Sequence, residues 1–217
     1  MQLRSLLIRL HLARGIGYQG ITRVLQYCRQ QQVVVTAPRK IGQLARLTTS
    51  QLARFTLDWR SAAFQQRLQR HAHLDILTIL DSDYPVALLE SYQPPLVLFL
   101  RGHRSLLATR QLAVVGARRA TSYAERAIAQ LLPPLVTEGL TVISGLAQGA
   151  DGLAHLAALN ANLATIAVIG TGLDISYPRQ HRDLQQQIGQ VGLLISEYPL
   201  GVGPEPYHFV ARNRIIA

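Results

Sequence analysis

Cysteine is almost missing from these 217 residues: Cys28 stands alone, which excludes an intramolecular disulfide and a cysteine-rich zinc site. That usage fits a reducing compartment, and a cytoplasmic location is expected. Long apolar runs are missing too. None approaches the ~18 residues that a membrane helix needs, so no membrane insertion is expected. The opening MQLRSLLIRLHLARGIG does not make a signal peptide, because Arg4 and Arg9 interrupt its apolar stretch. An arginine-rich, acid-poor start is also seen in organelle transit peptides, but here the pattern runs on into sequence that reads as folded. Lysine occurs once, at Lys40. Acidic residues are scarce in the first third, where Asp58 and Asp75 are the only two among residues 1–80.

What is present is a globular balance, 48% hydrophobic and 16% charged, with enough apolar material for a core. Charge is unevenly spread. Residues 1–80 hold twelve Lys/Arg against two acids, whereas residues 81–217 hold ten of each. The net charge of +10 therefore belongs to the first third. An acidic partner such as nucleic acid is the leading explanation, and a solvated basic helical surface is the plain one.

Apolar spacing divides the chain in two. Residues 1–74 read as a small all-helical domain. Its helices are expected over 3–14, 21–31, 41–47 and 50–55, with another carrying Phe64 and Leu68. Gly15-Ile16-Gly17 between the first two has the look of a helix–hairpin–helix turn, or of a plain helix connection. Residues 75–217 read as an α/β domain. Strands are expected at 76–80, 96–100, 112–115, 141–143, 164–169 and 193–195, and helices at 121–136, 149–160 and 180–189. Pro133-Pro134 bends or ends the first of these helices. Continuous apolar strands alternating with helices predict a parallel sheet covered by helices on both faces. Arg214–Ala217 looks like the opening of a further helix.

Three of these strands run into glycine-containing loops. They are Gly116-Ala117-Arg118-Arg119-Ala120-Thr121, Ser144-Gly145-Leu146-Ala147-Gln148-Gly149-Ala150-Asp151 and Gly170-Thr171-Gly172-Leu173-Asp174. Ligands of open parallel sheets bind at the carboxyl ends of strands, where glycine admits close approach and helix N-termini offer N–H groups to phosphate. Tight βα turns are the alternative role for these glycines. Neither the dinucleotide spacing G-x-G-x-x-G nor a P-loop is present, so no single loop is decisive. Arg118 and Arg119, then Arg179 and Arg182, then Arg212 and Arg214 accompany the loops and suit an anionic polymer. Tyr177, Tyr207 and Phe209 lie beside them in sequence, either to stack on bases or to pack in the core. Asp151 and His155 stand i, i+4 on one helix face, as a base with its orienter, as a metal-binding pair or as a local helix-start contact. Ser144 lacks the G-x-S-x-G context of a nucleophile, and Glu197 reads as an anchor for a loop or an arginine. No catalytic or metal-ligating residue is assigned.

Together these segments resemble the DNA-processing protein A (DprA/Smf) family. The resemblance rests on the three loops, on Tyr177-Pro178, Ser196-Glu197-Tyr198-Pro199 and Phe209–Ala217 (FVARNRIIA), and on Asp83-Tyr84-Pro85 and Pro94–Phe99. It implies a sterile-alpha-motif-like helical domain before an extended Rossmann domain. It implies a single-stranded-DNA-binding recombination mediator that protects incoming DNA during natural transformation and loads RecA. It implies a homodimer, with no catalysis and no nucleotide cofactor. The DNA site would use Gly116, Arg118, Arg119, Thr121, Ser144, Gly145, Gln148, Gly149, Gly170, Gly172, Arg179, Arg182, Arg212, Asn213 and Arg214. The sequence departs from the family at Ala150, where Ile is usual, at His181, often Asn, and at Val210, often Pro. Arginine also replaces lysine almost throughout. The family's Rossmann domain continues beyond the position of Ala217, so the resemblance implies a C-terminally truncated member. Two other classes stay open: a nucleotide-processing hydrolase of a related Rossmann-like group, whose P-G-G-x-G-T-x-x-E motif is absent here, and a protein–protein adaptor.

Overall fold

The computed structural model describes residues 2–217. Its contacts divide the chain into two compact units, one gathering residues up to His73 with Leu77–Tyr84 and Pro95–Val97, the other gathering the remainder.

The first unit is built on five helices, α1 (Leu3–Leu12), α2 (Tyr18–Gln31), α3 (Pro38–Leu44), α4 (Thr49–Arg60) and α5 (Ala62–His71). Apolar side chains at helical spacing form its core: Leu6, Leu7 and Leu10 of α1, Val24 of α2, Ile41 of α3, Phe55 of α4 and Phe64 of α5 are fully buried. Helix starts follow from local chemistry. Thr48 and Gln51 form a reciprocal capping box at α4. Ser61 ends α4 and caps α5, its Oγ accepting the Phe64 N–H at 3.0 Å. The sole acid among residues 1–73, Asp58, is buried and internally engaged. Its Oδ2 accepts the Arg14 backbone N–H at 2.9 Å and an Arg67 guanidinium N–H at 2.6 Å, while Arg67 Nε donates to Leu12 O at 2.9 Å. These bonds tie the α1–α2 connection to α4 and α5. Gly15 in that connection has φ +90°, and a Cβ there would press on the backbone of Gln51 and Phe55.

A six-stranded sheet follows. Its strands are β1 (Asp75–Thr78), β2 (Val97–Gly102), β3 (Gln111–Ala113), β4 (Thr141–Ser144), β5 (Thr165–Ile169) and β6 (Leu193–Ser196), in spatial order β1-β2-β6-β5-β4-β3. β3 to β6 are parallel, with Leu112 opposite Val142, Ile143 opposite Ile166 and Ala167 opposite Leu194. β2 runs antiparallel to β6, with Phe99 opposite Ser196, so the sheet is mixed rather than wholly parallel. An apolar run states that a strand is buried but not which way it runs. The interior strands β4, β5 and β6 are buried at every position. Each fully buried Val, Leu or Ile in them stabilises the fold by about 1.5–3 kcal/mol.

The sheet is flanked by helices on both faces. The remaining helices are α6 (Val86–Leu89), α7 (Ser122–Leu131), α8 (Ala150–Asn160), α9 (Arg182–Val191) and α10 (Pro206–Arg212). Three expectations are corrected. The helix expected over 121–136 ends at Leu131, and Pro133–Glu138 forms a 3-10 turn instead, because proline cannot continue the α hydrogen-bond ladder. Leu112–Val115 is not a buried strand. It lies at the edge, with β4 on one side only, and Leu112 and Val115 are 36% and 67% exposed. The helix expected to open at Arg214 lies earlier, as α10, and Asn213–Ile215 is a 3-10 turn closing it. No described helix is long and apolar enough to cross a membrane.

Candidate nucleic-acid interface

Because β3, β4 and β5 are parallel neighbours, the loops that follow them emerge on one side of the sheet. Between them lies a cavity of about 40 Å³, lined by Arg118, Gly145, Ala147, Gln148, Gly170, Tyr177, Pro178 and Phe209. One of its walls is aromatic. The Tyr177 and Phe209 rings lie 5.1 Å apart, and the Arg118 guanidinium sits 5.8 Å from the Phe209 ring centre. That arrangement favours a cation over the ring face and leaves the guanidinium exposed for an anion. Gly170 lets Phe209 lie close, since a Cβ there would come within 2.9 Å of its ring. Gly149 has φ +77°, and a Cβ would run into the carbonyl of Ala117. Glycine is thus required where the β3 and β4 loops meet.

Below the cavity lies a buried polar cluster. Arg212, 4% exposed, donates from one guanidinium nitrogen to Gly145 O at 2.5 Å and to Val168 O, joining the ends of β4 and β5. Asp151, at the start of α8, is also buried. Burial raises its carboxyl above the usual range, opposed by Arg212 and by the backbone N–H groups of Ala147, Gly145 and Gly116. Burial likewise lowers Arg212, opposed by Asp151. His155 is wholly buried. Thr165 Oγ1 donates to Val142 O at 3.0 Å, so the His155 Nδ1–H donates to that hydroxyl at 2.8 Å and Nε2 is left bare without a partner. Burial first, then the charges of His181 and Arg212, lower its pKa to about 3. Asp151 and His155 thus form part of the sheet's support, hidden from any substrate. Among the described residues, no group of three or more His, Cys, Asp or Glu side chains could hold a metal ion.

This chain belongs to the DNA recombination-mediator protein A family. The family's sequence model matches residues 75–217. Over 140 residues the chain is 46% identical to the DNA processing protein DprA of Streptococcus pneumoniae, which covers 64% of this chain and 49% of that protein. It is 46% identical over 135 residues to Protein Smf of Escherichia coli, covering 62% of this chain and 36% of that one. The chain thus spans about half, or less, of these relatives. The X-ray structure of Streptococcus pneumoniae DprA superposes on all of this chain and 74% of its own, with a TM-score of 0.85 and 34% identity. A structure describing the single-stranded DNA binding mode of Helicobacter pylori DprA matches 66% of this chain and 65% of its own, at TM-score 0.56 and 34% identity.

Within this DprA/Smf frame the expected site residues fall into groups. Arg118, Gly145, Gln148 and Gly170 line the cavity. Gly116 packs against Ala150, exposed Arg119 lies beside Arg118, and Thr121 caps α7 by accepting the Ala124 N–H at 3.3 Å. Arg179 and Arg182 are exposed just beyond Tyr177-Pro178. Five residues are engaged internally. Ser144 is buried and donates to Val114 O at 2.6 Å, linking β4 to the end of β3. Gly172 packs against Pro199, its N–H donating to Val202 O at 2.9 Å. Arg212 is buried as described, with Asn213 Oδ1 accepting its Nε at 3.1 Å. Arg214 places one guanidinium nitrogen 2.7 Å from both oxygens of Glu197, and donates to Gln93 O and Ala211 O. Glu197 is therefore the arginine anchor that the sequence suggested. The lining residues Ala147 and Pro178 lie within motifs the sequence shows but outside the expected site residues. α10, which carries Phe209 to the cavity, was missed, although Pro206 in its first turn is a recognised helix-start signal.

Proposed function

We propose that this chain binds single-stranded DNA on the glycine-loop side of its α/β unit. The observation that carries this is the convergence of Arg118, Phe209 and Tyr177 around the glycine loops of three adjacent parallel strands. Exposed arginines take phosphates, glycine loops admit the backbone, and the aromatic wall stacks on bases without reading sequence. Contacts are proposed for Gly116, Arg118, Arg119, Gln148, Gly149, Arg179 and Arg182. Ser144, Gly145, Gly170, Gly172, Arg212, Asn213 and Arg214 shape the site from below. We extend the reading to a recombination mediator that protects incoming single strands during natural transformation, delivers them to RecA and acts as a cytoplasmic homodimer. Family membership supports that extension, as it supports a division into domains 1–74 and 75–217.

The test is fluorescence anisotropy of a labelled oligothymidine at two salt concentrations, with a duplex competitor. Salt-sensitive binding that duplex displaces poorly, and that Arg118→Ala weakens, is the expected result. Wild-type affinity in a folded Arg118→Ala chain would place the DNA elsewhere.

A further inference from the structure

We propose that the helical unit carries a second nucleic-acid contact surface, around the α1–α2 connection, which takes the phosphate backbone of duplex DNA. Charge is the first reason. Residues 1–73 contain twelve Lys/Arg and one acid, Asp58, which is buried and spent on Arg67 and the Arg14 backbone. The same unit also holds Asp81, paired with Arg4 at 2.7 Å, and the exposed Asp83. A surface so poor in anions repels itself until a polyanion neutralises it.

Local geometry is the second reason. Arg14 opens the Gly15-Ile16-Gly17 connection and is exposed. Gly15 rests on the backbone of Gln51 and Phe55, which brings Arg54 of α4 to the same place. Gly20, in the first turn of α2, packs on Ala45, and Arg23 donates to Ala45 O at 3.3 Å, which sets Arg46 beside them. Four arginines from four stretches of chain thus gather along the N-terminal half of α2. Lys40, Arg39 and Arg29 mark the opposite end, where the Lys40 ammonium lies 5.4 Å from the Tyr27 ring. The α2 residues that anchor the two groups, Gly20 and Arg23 against Tyr27 and Arg29, lie about 6–14 Å apart along the helix.

The third reason selects duplex over single strand. Among described residues 2–73, Phe55, Trp59 and Phe64 are buried and Tyr18 and Tyr27 are half-buried, whereas the exposed tyrosines of the chain all lie beyond that stretch. A surface with charge but no stacking platform suits phosphates whose bases are already paired.

The test uses the whole chain and a labelled duplex of mixed sequence. Binding is followed against salt for wild type, for R14Q/R46Q/R54Q, and for the equally charged control R29Q/R39Q/K40Q, with circular dichroism confirming the fold. Loss of three phosphate contacts flattens the slope of log K against log salt by about 2–3 in the first variant. The control is expected to flatten it by less than a third as much. Should the first triple variant not fold, R14Q and R54Q singly are each expected to lower the slope by about 0.9. Equal flattening in both triple variants would overturn the site in favour of diffuse charge. A duplex slope indifferent to all of them would overturn it in favour of an acidic protein partner.

Discussion

Arg212→Met is the sharpest probe of the buried cluster. Methionine keeps much of the side-chain volume but removes every donor. Gly145 O and Val168 O then lose the guanidinium between β4 and β5, and an unsatisfied buried group costs about 1–3 kcal/mol. Asp151 also loses a cation whose field opposes the cost of burying its carboxylate. The two carbonyls share one guanidinium and their losses do not add, so about 1–3 kcal/mol is expected, a large part of the ~5–15 kcal/mol of a typical domain. The deficit depends on pH. The folded-state pKa of Asp151 already lies above its unfolded value, and without Arg212 it rises further. The folded state then binds the proton more tightly, so the penalty is complete above the folded pKa and fades as pH falls towards the unfolded one. Urea unfolding followed by circular dichroism at pH 8 and pH 5 checks both points, with the smaller deficit at pH 5. In an Asp151→Asn background the same substitution is expected to cost less, and equally at both pH values. A loss under 1 kcal/mol, or a deficit equal at both pH values, would refute the assignment of Arg212 as the strut under the cavity.

Arg118→Ala, at an exposed position, is expected to leave stability within about 0.5 kcal/mol and to flatten the salt dependence of oligothymidine binding by about 0.7, one single-strand phosphate, as anisotropy can show. Gly149→Ala places a Cβ on the Ala117 carbonyl at positive φ and is expected to lower the thermal midpoint by several degrees in calorimetry, corresponding to at least about 1–2 kcal/mol. His155 is held neutral, its pKa lowered to about 3, so between pH 6.5 and 3 the unfolded chain takes up a proton that the folded chain refuses. Stability therefore falls on acidification through that window, by up to about 5 kcal/mol at 1.4 kcal/mol per unit, and His155→Gln is expected to remove that part of the slope in denaturation series. Thr48→Ala breaks the α4 capping box and is expected to cost about 1 kcal/mol, measured by urea midpoint.

The single-family character of the chain was legible because its glycine loops, Tyr177-Pro178 and the FVARNRIIA segment are local strings whose chemistry survives without coordinates. The alternation of apolar runs with amphipathic helices likewise announced a sheet with helices about it, since periods of 2 and 3.6 follow from backbone geometry alone. The excess charge of the first third was simple counting. Other features depended on partners distant in sequence. The antiparallel setting of β2 against β6 and the edge position of β3 concern which strand lies beside which, and an apolar pentapeptide is the same string in either place. Arginines 118, 212 and 214 are one residue type near similar loops, yet Arg118 is exposed, Arg212 is buried on two carbonyls, and Arg214 is bound to Glu197. Composition determined that arginine would meet negative charge in this protein. Only the tertiary structure decided which of that charge is the protein's own, because the partners of Arg212 and Arg214 lie up to 121 residues away and are brought within reach by the closing of the sheet.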